Sequence, residues 1–239
     1  MYTKYFKVVL FFLKTIHYFC RNLLFIAMNS QIRTFVRPEY VIAFLFFVLA
    51  CLYFSPLSVP YKGAYPLAFL TLCSLRYACW PMALAMFFSA LGDWMGICHN
   101  FWAQMGAFAM AHVAYLYYFG CTCRKEWTTD KIGWKLGGVA LYGVLAGGLI
   151  VPHVQGVLQI GVSVYVLLIL AMCALAWIQK NRYYALGAWL FVFSDTVLAW
   201  NKFVSPIEYV GYFIMVPYYL GQLILFVQSV GRKKNSGID

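Results

Sequence analysis

The sequence predicts an all-α integral membrane protein of about eight transmembrane helices, and three observations predict it. Of 239 residues, 64% are hydrophobic and only 10% are charged, whereas a soluble domain carries about 25% charged residues. So little charge cannot cover a water-exposed surface, and lipid must solvate much of the chain. Apolar runs also recur from one end to the other, and at roughly 20 residues per span they leave no room for a sizeable water-soluble domain. These runs are apolar all round rather than alternating, which argues for helices over a barrel. The third observation is the distribution of positive charge, taken up once the elements are placed.

Residues 1–30 stand apart. Lys4, Lys7, Lys14 and Arg21 recur at spacings of three and seven, with His17 beside them, and Phe, Leu, Val and Ile fill the opposite face. This pattern predicts an amphipathic helix lying in the membrane interface. Lys14 and His17 interrupt the apolar stretch, so it does not read as a signal peptide. Translation starting at Met28 is the alternative, in which case residues 1–27 are a misassigned start.

A single polytopic domain is expected over 38–230, followed by a cytoplasmic tail at 231–239. Its apolar segments run 40–55, 64–75, 77–98, 101–121, 134–151, 157–178, 184–203 and 209–230. The second is short, and Arg76 marks its border with the third. With eight spans and both termini in the cytoplasm, twelve Lys and Arg residues between Arg33 and Lys234 fall inside. Only Lys62 and Lys202 fall outside. Positive charge collects on the cytoplasmic side of membrane proteins, so count and orientation support each other. The net charge of +11 therefore reads as topology and not as nucleic-acid binding. Short loops suggest a bacterial inner membrane.

The eight cysteines (Cys20, Cys51, Cys73, Cys79, Cys98, Cys121, Cys123 and Cys173) form no C-x-x-C pair, and are expected to pack as small apolar residues. No metal site or cofactor is expected from them. Glycines four apart, at Gly92 and Gly96, Gly133 and Gly137, and Gly143 and Gly147, are candidates for close helix contact.

Chemistry concentrates on two acidic residues. Of seven, Glu39, Glu126, Asp130, Glu208 and Asp239 fall in loops or at span ends. Asp93 and Asp195 alone lie inside apolar runs, where a carboxylate costs about 2.5–3.5 kcal/mol on insertion scales and marks a functional site by default. Each is followed eight residues later by Phe, at Phe101 and Phe203. The next span carries polar groups at its middle: His112 and Tyr115 after Asp93, and Tyr218, Tyr219 and Gln222 after Asp195. Asp93 falls in the third span and Asp195 in the seventh. That offset preserves direction across the membrane and suggests two parallel four-helix repeats about an axis along the membrane normal, with the aspartates at similar depth.

Five segments in order carry a family resemblance. They are Ser89-Ala-Leu-Gly-Asp93, Gly106-Ala-Phe-Ala-Met-Ala-His112-Val-Ala-Tyr115, Tyr165-Val-Leu-Leu-Ile-Leu-Ala-Met172, Gly187-Ala-Trp-Leu-Phe-Val-Phe-Ser194-Asp195 and Tyr218-Tyr-Leu-Gly-Gln222. Over residues 38 to 230 the sequence resembles the YhhN-like family of membrane proteins, whose characterised members are lysoplasmalogenases. The family tends to place Lys directly before Pro at the start of the second span. Here Lys62 precedes Pro66 by four residues, so Lys62 is not carried over as a site residue.

The resemblance implies hydrolysis of the vinyl-ether bond of a lysoplasmalogen, with a lysophospholipid as substrate and the bilayer as surroundings. Vinyl ethers hydrolyse by protonation at carbon, which leaves an oxocarbenium-like cation for water to capture. That chemistry asks for an acid, an anion and a base for water. It does not ask for a nucleophilic serine, and the chain has no G-x-S-x-G elbow. Asp93 and Asp195 suit an acid/base pair, dividing roles as paired carboxyls do in glycosidases. Ser89, one turn before Asp93, is a candidate donor to it. His112, Tyr115, Tyr218 and Gln222 are candidate cavity-lining groups, and Lys202 is a candidate phosphate contact.

Two other classes fit parts of the pattern. A proton-coupled transporter or lipid-binding protein would use the two aspartates as a proton relay. A zinc-dependent lipid hydrolase would gather Asp93, His99 and His112, although no H-E-x-x-H spacing occurs.

Overall fold

A computed structural model of the protein describes residues 38–236. The expectation of an interfacial helix over residues 1–30 lies outside the described residues. Eight α-helices follow one another: α1 (Pro38–Phe54), α2 (Tyr65–Tyr77), α3 (Trp80–Ile97), α4 (Phe101–Tyr117), α5 (Ile132–Ile150), α6 (Val157–Trp177), α7 (Arg182–Phe203) and α8 (Val210–Ser236). Each falls on one of the eight apolar runs. Among the described residues the only β pairing is an isolated bridge between Trp127 and Gln179.

The helix ends follow local chemistry. Pro66 and Pro81 sit in the first turns of α2 and α3, where a missing N–H costs nothing. The side chain of Asn100 accepts from Ala103 N at 3.1 Å, and that of Asn181 from Tyr183 N at 3.0 Å, capping α4 and α7 as Asn does at helix starts. Connections turn sharply through left-handed residues at Tyr61, His99, Lys131 and Tyr209. α4 runs on into a π-helical turn, Tyr118–Thr122.

Three stretches are long and apolar enough to cross a membrane: Ile132–His153, Val157–Trp177 and Val210–Lys233. A shorter apolar helix covers Glu39–Phe54. α3, α4 and α7 are less uniformly apolar because they carry the buried polar groups described below. The outer surface is apolar, with Trp134, Val144 and Val157 at least 72% exposed. Apolar surface on that scale needs lipid to cover it. The chain is a helical, multi-pass membrane protein.

The aspartate-bearing helices pack mainly on their successors, α3 on α4 and α7 on α8, while α4 also meets α6 and α2 meets α8. Phe101 and Phe203 meet edge to face with ring centroids 5.6 Å apart. α1 reaches the bundle through Phe46 and Tyr53, both edge-on to Tyr219 at 5.9 and 6.1 Å.

The closest approach of a glycine to another helix's backbone is at a pair the spacing did not single out. A Cβ on Gly221 would stand 2.7 Å from the Gly187 carbonyl oxygen, and one on Gly187 2.8 Å from Leu225 Cγ. Of the expected close-contact glycines, Gly92 lies under the Phe108 ring, Gly96 under Gln104 and Gly143 under Leu170. Gly133 and Gly137 have nothing within 4 Å of a built Cβ, so their spacing does not mark a helix contact within this chain.

α8 contains Pro217, which removes one backbone bond and disturbs the turn before it. In that turn the Ile214 carbonyl accepts from Ser194 Oγ at 2.9 Å. At one end of the bundle Arg232 Nε donates to Glu126 Oε1 at 2.6 Å, and its Nη2 to the Thr122 carbonyl. Lys180 N also donates to Glu126 O at 2.9 Å, so Glu126 ties the α4–α5 connection to both the α6–α7 turn and α8. Burial pushes the Cys123 thiol nearby up to about 12, which keeps it a neutral packing group. Cys73, Cys79, Cys98, Cys121, Cys123 and Cys173 are free thiols.

Candidate active site

Asp93 sits on α3 and is almost wholly buried. Tyr218 on α8 donates its phenol proton to Asp93 Oδ2 at 3.1 Å. The absence of a side chain on Gly92 lets Phe108 close over this part of α3.

Asp195 sits on α7 and has a different set of partners. The Tyr165 hydroxyl on α6 donates to its Oδ2. The His112 Nε2 on α4 lies 3.1 Å from the Tyr165 oxygen and 3.6 Å from Asp195 Oδ2. A tyrosine that gives its proton to the carboxylate can accept from an Nε2–H, which orders the three groups as His112, Tyr165, Asp195. The other ring nitrogen, His112 Nδ1, is buried with no hydrogen-bond partner. In an apolar interior such an atom is held at a cost, a feature that accompanies functional polar clusters.

Aromatic rings fill the space between the two groups. Phe191 is fully buried, with its ring 5.3 Å from Tyr218, 4.8 Å from His112 and 6.2 Å from Phe108. It thus touches the partner of each aspartate. Each carboxyl is served by its own phenol.

A cavity of about 80 Å³ opens between α4, α5, α6 and α7. Its walls are apolar, from Met105, Phe108, Ile169 and Leu198 among others, and Phe101 and Phe203 both border it. Asp195, Tyr165, Thr196 and Gln104 supply its polar atoms. Tyr142 on α5 donates to Thr196 Oγ1 at 2.8 Å. Asp93 does not line this cavity.

The remaining candidates divide. Gln222 Nε2 donates to Ser89 Oγ at 3.0 Å, and the Tyr115 hydroxyl donates to Gln222 Oε1. All three are fully buried, and they form a polar clasp between α3, α4 and α8. Ser89 therefore pairs with Gln222, whereas Asp93 takes its bond from Tyr218. Lys202 is exposed and lies over the Phe101 ring at 4.9 Å, near the cavity mouth. Lys62 donates to the carbonyls of Ser55 and Leu57 at 2.6 and 3.1 Å, a loop-bracing role.

Tyr165, Tyr142, Thr196 and Phe191 were not among the sequence candidates. Tyr165 opened one of the matching segments, and its place in the middle of an apolar span was the signal for it. Nothing in the spacing marked Phe191. Asp93, His99 and His112 are not brought together. Among the described residues no three His, Cys, Asp or Glu side chains converge as metal ligands would.

Helices that bury two carboxyls against phenols, one of them beside an apolar cavity, make up this polytopic membrane protein. The sequence matches the YhhN family over residues 53–230, and the chain belongs to that family. It is 30% identical over 148 residues to lysoplasmalogenase TMEM86B of Sus scrofa, covering 59% of each chain. Against the human TMEM86B it is 31% identical over 130 residues, covering 53% of this chain and 52% of that one. Against lysoplasmalogenase TMEM86A of Bos taurus it is 28% identical over 168 residues, covering 63% and 65%. The matched region thus spans between half and two thirds of these relatives. No solved structure matches the chain.

Proposed function

We propose that the protein hydrolyses the vinyl-ether bond of lysoplasmalogens, releasing a fatty aldehyde and a glycerophospho-headgroup. Family membership and the names of its relatives support the reaction class. The single observation that supports the site is Asp195, hydrogen-bonded by Tyr165 and opening onto an apolar cavity at membrane depth.

In this reading the alkenyl chain lies among the aliphatic and aromatic walls, with its enol-ether carbons beside Asp195. A protonated carboxyl gives its proton to the outer vinyl carbon, and the ether-bearing carbon becomes an oxocarbenium-like cation. The second carboxyl, as a carboxylate, stabilises that cation. Water adds to the cationic carbon and loses a proton to a carboxylate. The hemiacetal hydroxyl loses its proton to a carboxylate as the bond from its carbon to the glycerol oxygen breaks, the glycerol oxygen takes a proton from the other carboxyl, and the aldehyde leaves. Asp195 and Asp93 share the acid and anion roles, Asp195 at the cavity wall and Asp93 from outside the cavity, across the Phe191 ring. Tyr165 and His112 set the orientation of Asp195, and Tyr218 that of Asp93. The reading includes eight spans with both termini cytoplasmic and two parallel four-helix halves; the Phe101–Phe203 contact, between residues equally spaced from the two aspartates, supports those halves.

Purified protein in detergent, supplied with a lysoplasmalogen, is expected to release one aldehyde per headgroup. A preparation that stays folded and releases none overturns the reading.

A further inference from the structure

A larger cavity than the one beside Asp195 lies elsewhere in the described chain. A groove of about 590 Å³ lies between α2, α3, the π-turn and the end of α8. Its chemistry is graded. At the rim are Arg232 and Lys233, with Lys233 Nζ 3.4 Å from the Ala78 carbonyl oxygen. Glu126 balances part of the Arg232 charge, and Arg124 and Lys125 follow on the adjoining turn, so the rim is net positive.

One helical turn deeper, the hydroxyls of Ser74 and Ser229 line the groove, both almost completely buried. Each already donates its only proton, to Leu70 O and Phe226 O, both at 2.7 Å. A hydroxyl that has spent its proton can only accept, so a matching ligand must bring a donor to that depth. Beside them the wall is apolar and open to the side: Leu75 is 70% exposed, and along α3 the exposed side chains of Trp80, at the rim end, Leu84 and Phe87 lead inward. From Trp80 to Phe87 is two turns, roughly 10 Å along the helix.

We propose that this groove binds a lysophospholipid at a site separate from the Asp195 cavity. The phosphate sits at Lys233 and Arg232. The free glycerol hydroxyl, two carbons from the phosphate ester oxygen, donates to Ser74 or Ser229. The single chain runs over Trp80, Leu84 and Phe87 towards the bilayer. A two-chain phospholipid has an ester in place of that hydroxyl and cannot donate there. The inference rests on the chain spanning a bilayer and not on the hydrolysis reading.

The probe is a saturated-ether lysophosphatidylethanolamine with a brominated chain, which has no vinyl ether to cleave and quenches nearby tryptophans. The Trp80 share of the signal is the difference between the native protein and Trp80→Phe. Saturable quenching of that share is expected. It should weaken about five- to tenfold for the same lipid with its glycerol hydroxyl methylated, as befits one lost hydrogen bond. It should weaken at least as much in Lys233→Glu and in Thr71→Phe, which fills the groove, and should persist in Asp195→Asn. Equal affinity for the methylated lipid overturns the proposal. So does unchanged binding in both groove variants, an absence of Trp80 quenching, or its loss in Asp195→Asn. Aldehyde release is scored separately, so failure here leaves the hydrolysis reading standing.

Discussion

Tyr165 on α6 gives its hydroxyl proton to Asp195 on α7, and this bond fixes a carboxyl oxygen at the wall of the apolar cavity. A hydrogen bond to a charged group contributes about 1.5–3 kcal/mol. Tyr165→Phe keeps the ring and loses the donor, so kcat for aldehyde release is expected to fall roughly 10- to 100-fold, with a fall of a few degrees in melting temperature and native elution retained. Tyr218→Phe makes the same change at Asp93. Steady-state kinetics on both variants reads the two carboxyls independently.

Removing either acid altogether is more severe. Asp93→Asn and Asp195→Asn are each expected to lower aldehyde release by a factor of about 10² to 10⁴, the range for general acid–base groups. Both should retain native elution in size-exclusion chromatography, because Asn can still accept the tyrosine bond. Near-normal turnover in either variant would falsify the two-carboxylate mechanism.

Cavity volume sets which chains fit. A Cβ on Gly147 has only Val166 Cγ1 near it, at 3.9 Å, so a larger side chain there grows into the cavity. Gly147→Phe is expected to raise KM for long alkenyl chains and to spare short ones, measured with a chain-length series. A uniform loss across all lengths would count against the cavity as the chain site.

Two further substitutions test packing. Phe191→Ala removes the ring shared by Tyr218 and His112 and is expected to cost about 3–5 kcal/mol. Gly221→Val puts a branched side chain against the Gly187 carbonyl and is expected to cost about 1–3 kcal/mol from overpacking. Thermal unfolding in detergent measures both. Gly137→Val, where a Cβ meets nothing, serves as the silent control.

The helices were legible because each is a run of apolar residues closed by a turn signal. Proline at the starts of α2 and α3 and asparagine before α4 and α7 lie where the runs begin. Asp93 and Asp195 stood out because a carboxylate in an apolar run is costly. Their partners were less legible, since a tyrosine in a membrane helix is equally at home at an interface. Tyr165 and Tyr218 acquire meaning only through contacts across helices. Ser89 was assigned to Asp93 from same-face spacing, which cannot weigh a competing partner on α8; Gln222 Nε2 donates to Ser89 there. The Gly187–Gly221 approach was missed because it lies between helices and leaves no spacing within either.

The bond from Tyr218 to Asp93 joins residues 125 positions apart. Asp93 is made early and its phenol late, so the ribosome delivers α3 to the membrane well before α8 exists. The acid on α3 must therefore enter the bilayer without the partner that later holds it. The eighth helix completes the solvation of the third, and a nascent chain halted before α8 leaves Asp93 without its phenol.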